Sequence, residues 1–136
     1  MPHLQFEINK NVSNDIKQEF VQQIRKTFSE IMDTGTDHIA ISLRIYDKYN
    51  LTIGRADPLD DICLMNLDIR EGRTIQKRRE LALRYMNIVK STFNIDEKNQ
   101  YITFTQHTGE DFHLVEKYLA DWESGEDPLS DIEDEK

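Results

Sequence analysis

The residue best placed for chemistry at the start of this chain is Pro2. If Met1 is removed, the nitrogen of Pro2 becomes a secondary amine on a rigid mount, because the ring holds φ at about −65°. An amine whose pKa lies near neutral pH can accept a proton and return it. Many chains begin with Met-Pro for no chemical reason. The hypothesis of a catalytic base therefore depends on which other residues converge on Pro2.

Arginines are the natural partners for an acidic substrate of such a base. Arg44 lies in a predicted strand, and Arg70 and Arg73 flank the turn Arg-Glu-Gly-Arg before a predicted helix. Arginine grips a carboxylate at two points, and a helix N-terminus adds backbone donors and a positive dipole end. The turn therefore indicates an anion site, although arginines near a helix start are also ordinary surface residues.

Hydrophobic periodicity predicts two amphipathic helices that would position these residues. Apolar residues recur at helical spacing over residues 16–31 and 75–93, with Ser13 and Thr74 as the expected N-caps. Gly35 is the expected left-handed cap of the first helix. Strands are predicted at about 2–9, 39–46, 61–69 and 101–105. The long polar connection over 47–60 is expected to contain a short hairpin around 49–53.

The two halves of the chain repeat one plan. Ser13 and Thr74 are 61 residues apart, and His38 and Gln100, which begin the strands after each helix, are 62 apart. This spacing indicates a duplicated strand–helix–strand unit in an α+β domain, with each unit parallel and right-handed. The order fits a ferredoxin-like sandwich or two βαβ units side by side, and periodicity does not choose between them. A sheet covered on one face has another to bury, so self-association is expected.

Composition narrows the class of protein. Hydrophobic residues make up 38% of the chain and charged residues 32%, with no apolar run near the ~20 residues of a membrane helix. No membrane span or signal peptide is expected, and the single Cys63 fits a reducing cytoplasm. The four histidines show no metal-ligand spacing, so no metal and no cofactor are expected.

Charge is concentrated at the C-terminal end. Residues 121–136 carry eight acids and one base, a sum of −7 out of the total of −9, which leaves −2 for residues 1–120. This balance argues against nucleic-acid binding. We expect one domain over 1–120 and an acidic, disordered tail over 121–136. Apolar residues between Leu114 and Trp122 predict either one short helix or an arm packed on a neighbour.

These features together resemble the tautomerase superfamily over about residues 2–106. The resemblance rests on Pro2 after the initiator, on the duplicated βαβ plan and on Glu71-Gly72-Arg73-Thr74 entering the second helix. The run Leu67 to Thr74, continued through Arg79-Glu80, is most similar to the 5-carboxymethyl-2-hydroxymuconate isomerase branch. The resemblance implies two βαβ units forming a four-stranded mixed sheet with two helices on one face, assembled as a homotrimer.

The resemblance also implies a function and a set of site residues. Pro2, after removal of Met1, would be the general base of a cofactor-free tautomerase acting on small unsaturated oxo- or hydroxy-dicarboxylic acids, as in aromatic catabolism. Arg73 matches the carboxylate-binding turn of the superfamily. Arg70 matches an arginine found in the cis-3-chloroacrylic acid dehalogenase branch, called the dehalogenase branch below. Arg44 matches an arginine position in the second strand. Phe104 stands where that branch has an active-site tyrosine and is assigned to substrate binding. Burial and nearby arginines should lower the pKa of the Pro2 amine below the ~7.7–8.0 of a free α-amine.

Departures from the superfamily pattern keep other functions open. Thr34 stands where the macrophage migration inhibitory factor branch has lysine. Glu30 stands where the dehalogenase branch has histidine. The water-activating acid of that branch has no clear counterpart, although Glu110, Asp111 and Glu116 lie in the right region. Isomerisation needs fewer groups. The alternatives are a hydratase, decarboxylase or dehalogenase of a three-carbon acid, and a non-catalytic trimeric binding protein.

Overall fold

A computed structural model describes residues 2–126, and its elements follow the predicted order. Two 3₁₀ turns, at Glu97–Asn99 and Gly109–Asp111, complete the main elements. The helices and strands are β1 His3–Ile8, α1 Asn14–Met32, β2 Ala40–Ile45, β3 Cys63–Arg70, α2 Ile75–Phe93 and β4 Gln100–His107. The part of the predicted acidic tail at 127–136, and the processing of Met1, lie outside the described residues.

The sheet decides between the two architectures that periodicity left open. Its strand order is β2-β1-β3-β4. β1 is parallel to β2, β3 is parallel to β4, and the two units meet through the antiparallel pair of β1 and β3. The chain is therefore an α+β domain of two βαβ units side by side, with a four-stranded mixed sheet and two helices. The fold expected from the resemblance is confirmed.

The core lies between one face of the sheet and the two helices. Alternate residues of β1 and β3 are buried there, as the period of two along a strand requires. The ring of Phe6 meets Phe20 of α1 edge-on at 5.0 Å, and Phe20 packs against Phe93 of α2 at 4.5 Å. Cys63 is fully buried in this core. Burial raises the pKa of the Cys63 thiol well above its ordinary value, so the side chain acts as a small hydrophobe.

The N-caps are confirmed, and the cap at the end of α1 is not where we expected it. The hydroxyl of Ser13 accepts from the backbone N–H of Ile16, and that of Thr74 accepts from Lys77. The left-handed residue that ends α1 is Asp33, with φ of 53°, and not Gly35. Aspartate tolerates this conformation better than most residues, so the helix can end two residues before the glycine.

The predicted hairpin around 49–53 is wrong, because the connection between β2 and β3 contains no strand. Its backbone hydrogen bonds are local turns: Asn50 donates to Asp47, and Ala56 donates to Ile53. Each of these bonds joins residues three apart, so no ladder forms. Among residues 2–126 no helix is long and apolar enough to cross a membrane.

Tyr85→Phe tests the packing of α2 on α1. The hydroxyl of Tyr85 donates to the carbonyl of Ile24 at 3.0 Å inside the core. Its removal should lower the free energy of unfolding by about 1 kcal/mol, because the pair of buried groups loses its hydrogen bond. Urea denaturation followed by circular dichroism measures the change. Tyr49→Phe is the control, since that ring is 79% exposed; it should change stability by less than ~0.5 kcal/mol. Equal losses in the two variants would contradict the contact.

Candidate active site

Pro2 is buried at the start of β1, where three strands meet. Its carbonyl accepts from the backbone N–H of Ala40 at 3.0 Å, which ties it to the start of β2. On the other side His3 pairs with Asp68 of the antiparallel β3. Continuing this register puts Ile69 opposite Pro2 and Arg70 one residue beyond it. The sheet therefore brings the N-terminal proline and Arg70 to the same end of its two central strands.

Arg70 is almost wholly buried, its side chain being 1% exposed. Its Nη1 donates to the carbonyl of Ala120 at 2.6 Å, and its Nη2 lies 2.6 Å from a carboxylate oxygen of Glu126. The Nε has no hydrogen-bond partner among the described residues. A charge this deeply buried requires a partner, and here the C-terminal segment of the same chain supplies it.

Arg73 is held beside it by the end of α1. Its Nε and Nη2 donate to the carbonyl of Met32 at 3.4 and 3.3 Å. The guanidinium lies 4.7 Å from the ring centre of Trp122 and 5.8 Å from that of Phe28. Burial, together with the charge of Arg70, lowers the pKa of Arg73 to about 9. The group is therefore still protonated at neutral pH.

The two arginines are accompanied by two acids, Glu126 and Asp33, whose charges act on Arg73. Within residues 2–126, Glu126 is the only carboxylate in an ion pair with either guanidinium. Burial is the main cause of the lowered pKa of Arg73; the charge of Arg70 lowers it further, and the carboxylates of Glu126 and Asp33 oppose the change. The ion pair with Glu126 shows that the buried guanidinium of Arg70 pairs with a carboxylate.

The turn between β3 and α2 is shaped to receive the C-terminal arm, by which we mean residues 108–126. Gly72 has φ of +125°, and a Cβ there would overlap the carbonyl oxygen of Trp122. The backbone N–H of Trp122 donates to Glu71 at 3.0 Å, and its indole N–H donates to the carbonyl of Asp33 at 2.9 Å. The arm therefore packs on its own domain.

This placement corrects the expectation of a short helix or an arm on a neighbour. The arm contains only the 3₁₀ turn at Gly109–Asp111 and an isolated bridge between His113 and Tyr118. Leu119 and Trp122, the apolar residues that suggested a helix, are buried against the same chain instead. Of the predicted tail, residues 121–126 belong to this packed arm.

Arg44 lies elsewhere in the single chain. It pairs with Glu7, five residues along β1 from Pro2, or about 16 Å at ~3.3 Å per residue. Its Nη1 lies 3.4 Å from Gln5 and 3.7 Å from Glu7, on the face of the sheet away from the helices. One chain does not bring Arg44 to Pro2, and its catalytic role stays a prediction that requires a neighbouring chain.

Phe104 shares a face of the sheet with Pro2. It lies in β4, opposite Leu67 of β3. Its partly buried ring packs against the core on the helix side. Pro2 is in phase with Leu4, which points to that same side. The assignment of Phe104 to substrate binding stays a prediction.

His107 is a candidate that the sequence did not single out. It ends β4 opposite Arg70. Its Nε2 lies 3.9 Å from Asp68 and its Nδ1 lies 3.8 Å from Asp111, so two carboxylates flank the ring. The four-residue spacing from His107 to Asp111 was the available signal, but the pairing with Arg70 appears only in the sheet.

Comparison with known proteins places this geometry in a known fold. No family model matches the chain, and no curated protein matches it. Solved structures do match. A macrophage migration inhibitory factor-like protein from Entamoeba histolytica is 18% identical, with 87% of this chain and 98% of that chain covered and a TM-score of 0.72. A member of the cis-3-chloroacrylic acid dehalogenase family is 16% identical, with 88% and 84% covered and a TM-score of 0.78.

A third match is a fused 4-OT symmetric trimer, 15% identical, with 87% of this chain and 94% of that chain covered and a TM-score of 0.76. This chain has the tautomerase fold. The similarity extends over most of each chain, but at these identities it establishes the fold and does not distinguish between branches of the superfamily. Substrate and reaction must be argued from the site.

Gly72→Ala tests the fit between the turn and the arm. The added Cβ would be strained at this φ and would overlap the carbonyl of Trp122. We expect the free energy of unfolding to fall by roughly 1–3 kcal/mol. Fluorescence of Trp122, the single tryptophan, should shift to the red as the indole becomes exposed. Gly54→Ala is the matched control, because its Cβ would have nothing within 4 Å. Wild-type emission in Gly72→Ala would contradict the described packing.

Proposed function

We propose that this protein is a cofactor-free tautomerase in which Pro2, after removal of Met1, is the general base. Its substrates would be small unsaturated oxo- or hydroxy-dicarboxylic acids, as in the carboxymethyl-hydroxymuconate isomerase branch. The observation that carries the proposal is the buried pair of Arg70, at the end of β3, and Arg73, in the turn that follows, near the start of β1. The fold it shares with tautomerase-superfamily proteins supports the same reading.

The surroundings of Pro2 suit a base that is neutral at physiological pH. Pro2 is buried, and Arg70 lies one residue beyond its strand partner. Burial and a nearby positive charge both disfavour a protonated amine and lower its pKa. The neutral amine would take a proton from one carbon or from the enol oxygen of the substrate and return it at another carbon. No net proton, electron or atom is gained, so the reaction needs no second reactant.

The arginines would bind and stabilise the acid. A carboxylate can take two parallel hydrogen bonds from one guanidinium. The hydrogen bond from Arg70 to Glu126 shows that Arg70 can pair with a carboxylate. Arg73 would then face the charge that develops on the enolate oxygen, where a preorganised cation lowers the barrier most. Phe104 would supply an apolar wall on the side of Pro2.

The outer face of the sheet supports assembly as a homotrimer. Gln5, Glu7, Arg44, Asn66 and Tyr101 share this face, which neither helix covers. One of the matching structures is a symmetric trimer. In a trimer, Arg44 would reach the site of a neighbouring chain, and the catalytic set Pro2, Arg44 and Arg73 would be completed between subunits.

Pro2→Ala tests the role of the base. We expect ketonisation of a 2-hydroxymuconate-type substrate, followed by ultraviolet absorbance, to fall about 10²- to 10⁴-fold, since that is the usual contribution of a positioned acid–base group. Pro58→Ala, in the exposed connection between β2 and β3, is the matched control and should keep full activity. Mass spectrometry must show that Met1 is absent. Unchanged turnover in Pro2→Ala would refute the role of the base, and a retained Met1 would favour a non-catalytic binding protein.

The pH profile of kcat/KM gives a second test. Only the neutral amine of Pro2 can accept a proton, so activity should fall as pH drops through a pKa lower than the ~7.7–8.0 of a free α-amine. Arg73 keeps its charge over the acid and neutral range, since burial lowers its pKa only to about 9, so this fall reports Pro2. A profile that stays flat toward acid pH would contradict the role of Pro2 as the base.

His107 favours a second candidate function, the hydration of a three-carbon acetylenic acid or the related dehalogenation. Its ring lies between Asp68 and Asp111 and opposite Arg70, an arrangement that can activate water. Isomerisation has no use for this group. Incubation with propiolate or 3-chloroacrylate, followed by proton NMR of the products, would separate the two. Malonate semialdehyde formed by the wild type and not by His107→Gln would favour this second candidate.

A further inference from the structure

The C-terminal arm occupies the site that the proposed substrate would need. We propose that the arm is a displaceable plug, with the carboxylate of Glu126 standing on Arg70 where a small carboxylate ligand binds. The inference rests on the proposed function for its choice of ligand. Its evidence is separate, since it concerns the contacts of the arm and not those of Pro2.

Two contacts seat the plug on the arginine pair, and a third fixes the shape of the arm itself. Glu126 pairs with Arg70 at 2.6 Å and is itself largely buried, with its side chain 13% exposed. The indole of Trp122 lies 4.7 Å from the guanidinium of Arg73. The second oxygen of Glu126 accepts from the backbone N–H of Glu123 at 3.3 Å, which fixes the carboxylate within a tight turn of the arm.

The same contacts make exchange with a ligand feasible. An incoming carboxylate carries the same charge as Glu126, so Arg70 would not be left as an unpaired buried charge during the exchange. Apart from the buried Trp122, the residues from Ala120 to Gly125 are exposed. They form no strand with the sheet. A segment held by two buried apolar side chains and a few hydrogen bonds opens at lower free-energy cost than the core.

Competition of this kind has a defined consequence for affinity. A ligand that binds only when the arm is displaced has an apparent Kd raised in proportion to the fraction of time that the arm is seated. Weakening the seat without touching Arg70 should therefore tighten ligand binding. If the arm were instead a permanent wall of the binding site, weakening its contacts would not tighten ligand binding, because loss of a wall residue cannot improve binding of the ligand.

The experiment titrates the full-length protein with fumarate, a small unsaturated dicarboxylate. It follows the fluorescence emission of Trp122, the single tryptophan. The wild type should show a saturable red shift as the indole leaves Arg73. Glu126→Gln should bind fumarate about tenfold more tightly, the scale of one hydrogen bond to a charged group. Glu123→Gln, which removes the same charge from an exposed side chain on the same arm, should bind as the wild type does. Glu126→Asp, which keeps the charge but shortens the reach, should fall between them.

Calorimetry and thermal unfolding of each variant complete the test. Fumarate binding with unchanged Trp122 emission, or weaker binding in a folded Glu126→Gln, would overturn the plug. Absence of binding even in Glu126→Gln would also overturn it, because the vacated Arg70 should accept a carboxylate. These outcomes are distinct from failure of the proposed function, since the fumarate titration reports the seating of Glu126 on Arg70, whereas the loss of turnover in Pro2→Ala reports the role of the base.

Discussion

The burial of two guanidinium groups at the junction of β3 and α2 is the constraint around which this end of the molecule is organised. Buried charge is costly unless it is paired or hydrogen-bonded. Arg73 is satisfied by the last carbonyl of α1, at Met32. Arg70 is satisfied by the carbonyl of Ala120 and by Glu126. The end of one helix, the start of the other and the C-terminal arm thus converge on one cationic centre.

The same constraint explains the shape of the turn between these arginines. Gly72 lies directly before Arg73 and has a left-handed backbone that gives the arm room to approach. Thr74 follows Arg73 and caps α2 through its hydroxyl. Two adjacent demands, close approach of the arm and a cap for the helix, therefore meet on either side of the charged residue. This is a physical reason for the order Gly72-Arg73-Thr74 that does not depend on any relative.

The topology then decides what can meet the cationic centre. Because β1 is antiparallel to β3, the start of β1 lies beside the end of β3, so Pro2 and Arg70 lie at the same end of these two strands within one chain. Because β1 is parallel to β2, the end of β2 lies beside the far end of β1, and Arg44 is carried away from Pro2. Parallel pairing of β3 with β4 brings His107 to Arg70. Strand direction, and not distance in sequence, sorts these side chains.

Local physical chemistry is what the sequence by itself determined. The helical period placed α1 and α2, the hydroxyls of Ser13 and Thr74 capped them as expected, and the duplicated plan indicated two βαβ units. These features depend on neighbours three or four residues away. The position of Pro2 after the initiator indicated it as a candidate base, and the turn before α2 indicated Arg70 and Arg73 as a candidate anion site.

Tertiary structure decided everything that depends on residues distant in sequence. Strand order settled the architecture and the separate location of Arg44, and the approach of the arm to Gly72 replaced the expected helix near Trp122. Glu126 carried no signal in the sequence, as one acid among the many near the C-terminal end, until the fold placed its carboxylate on Arg70. The physical reason is that such contacts are chosen by burial and pairing across the whole domain, which no local pattern encodes.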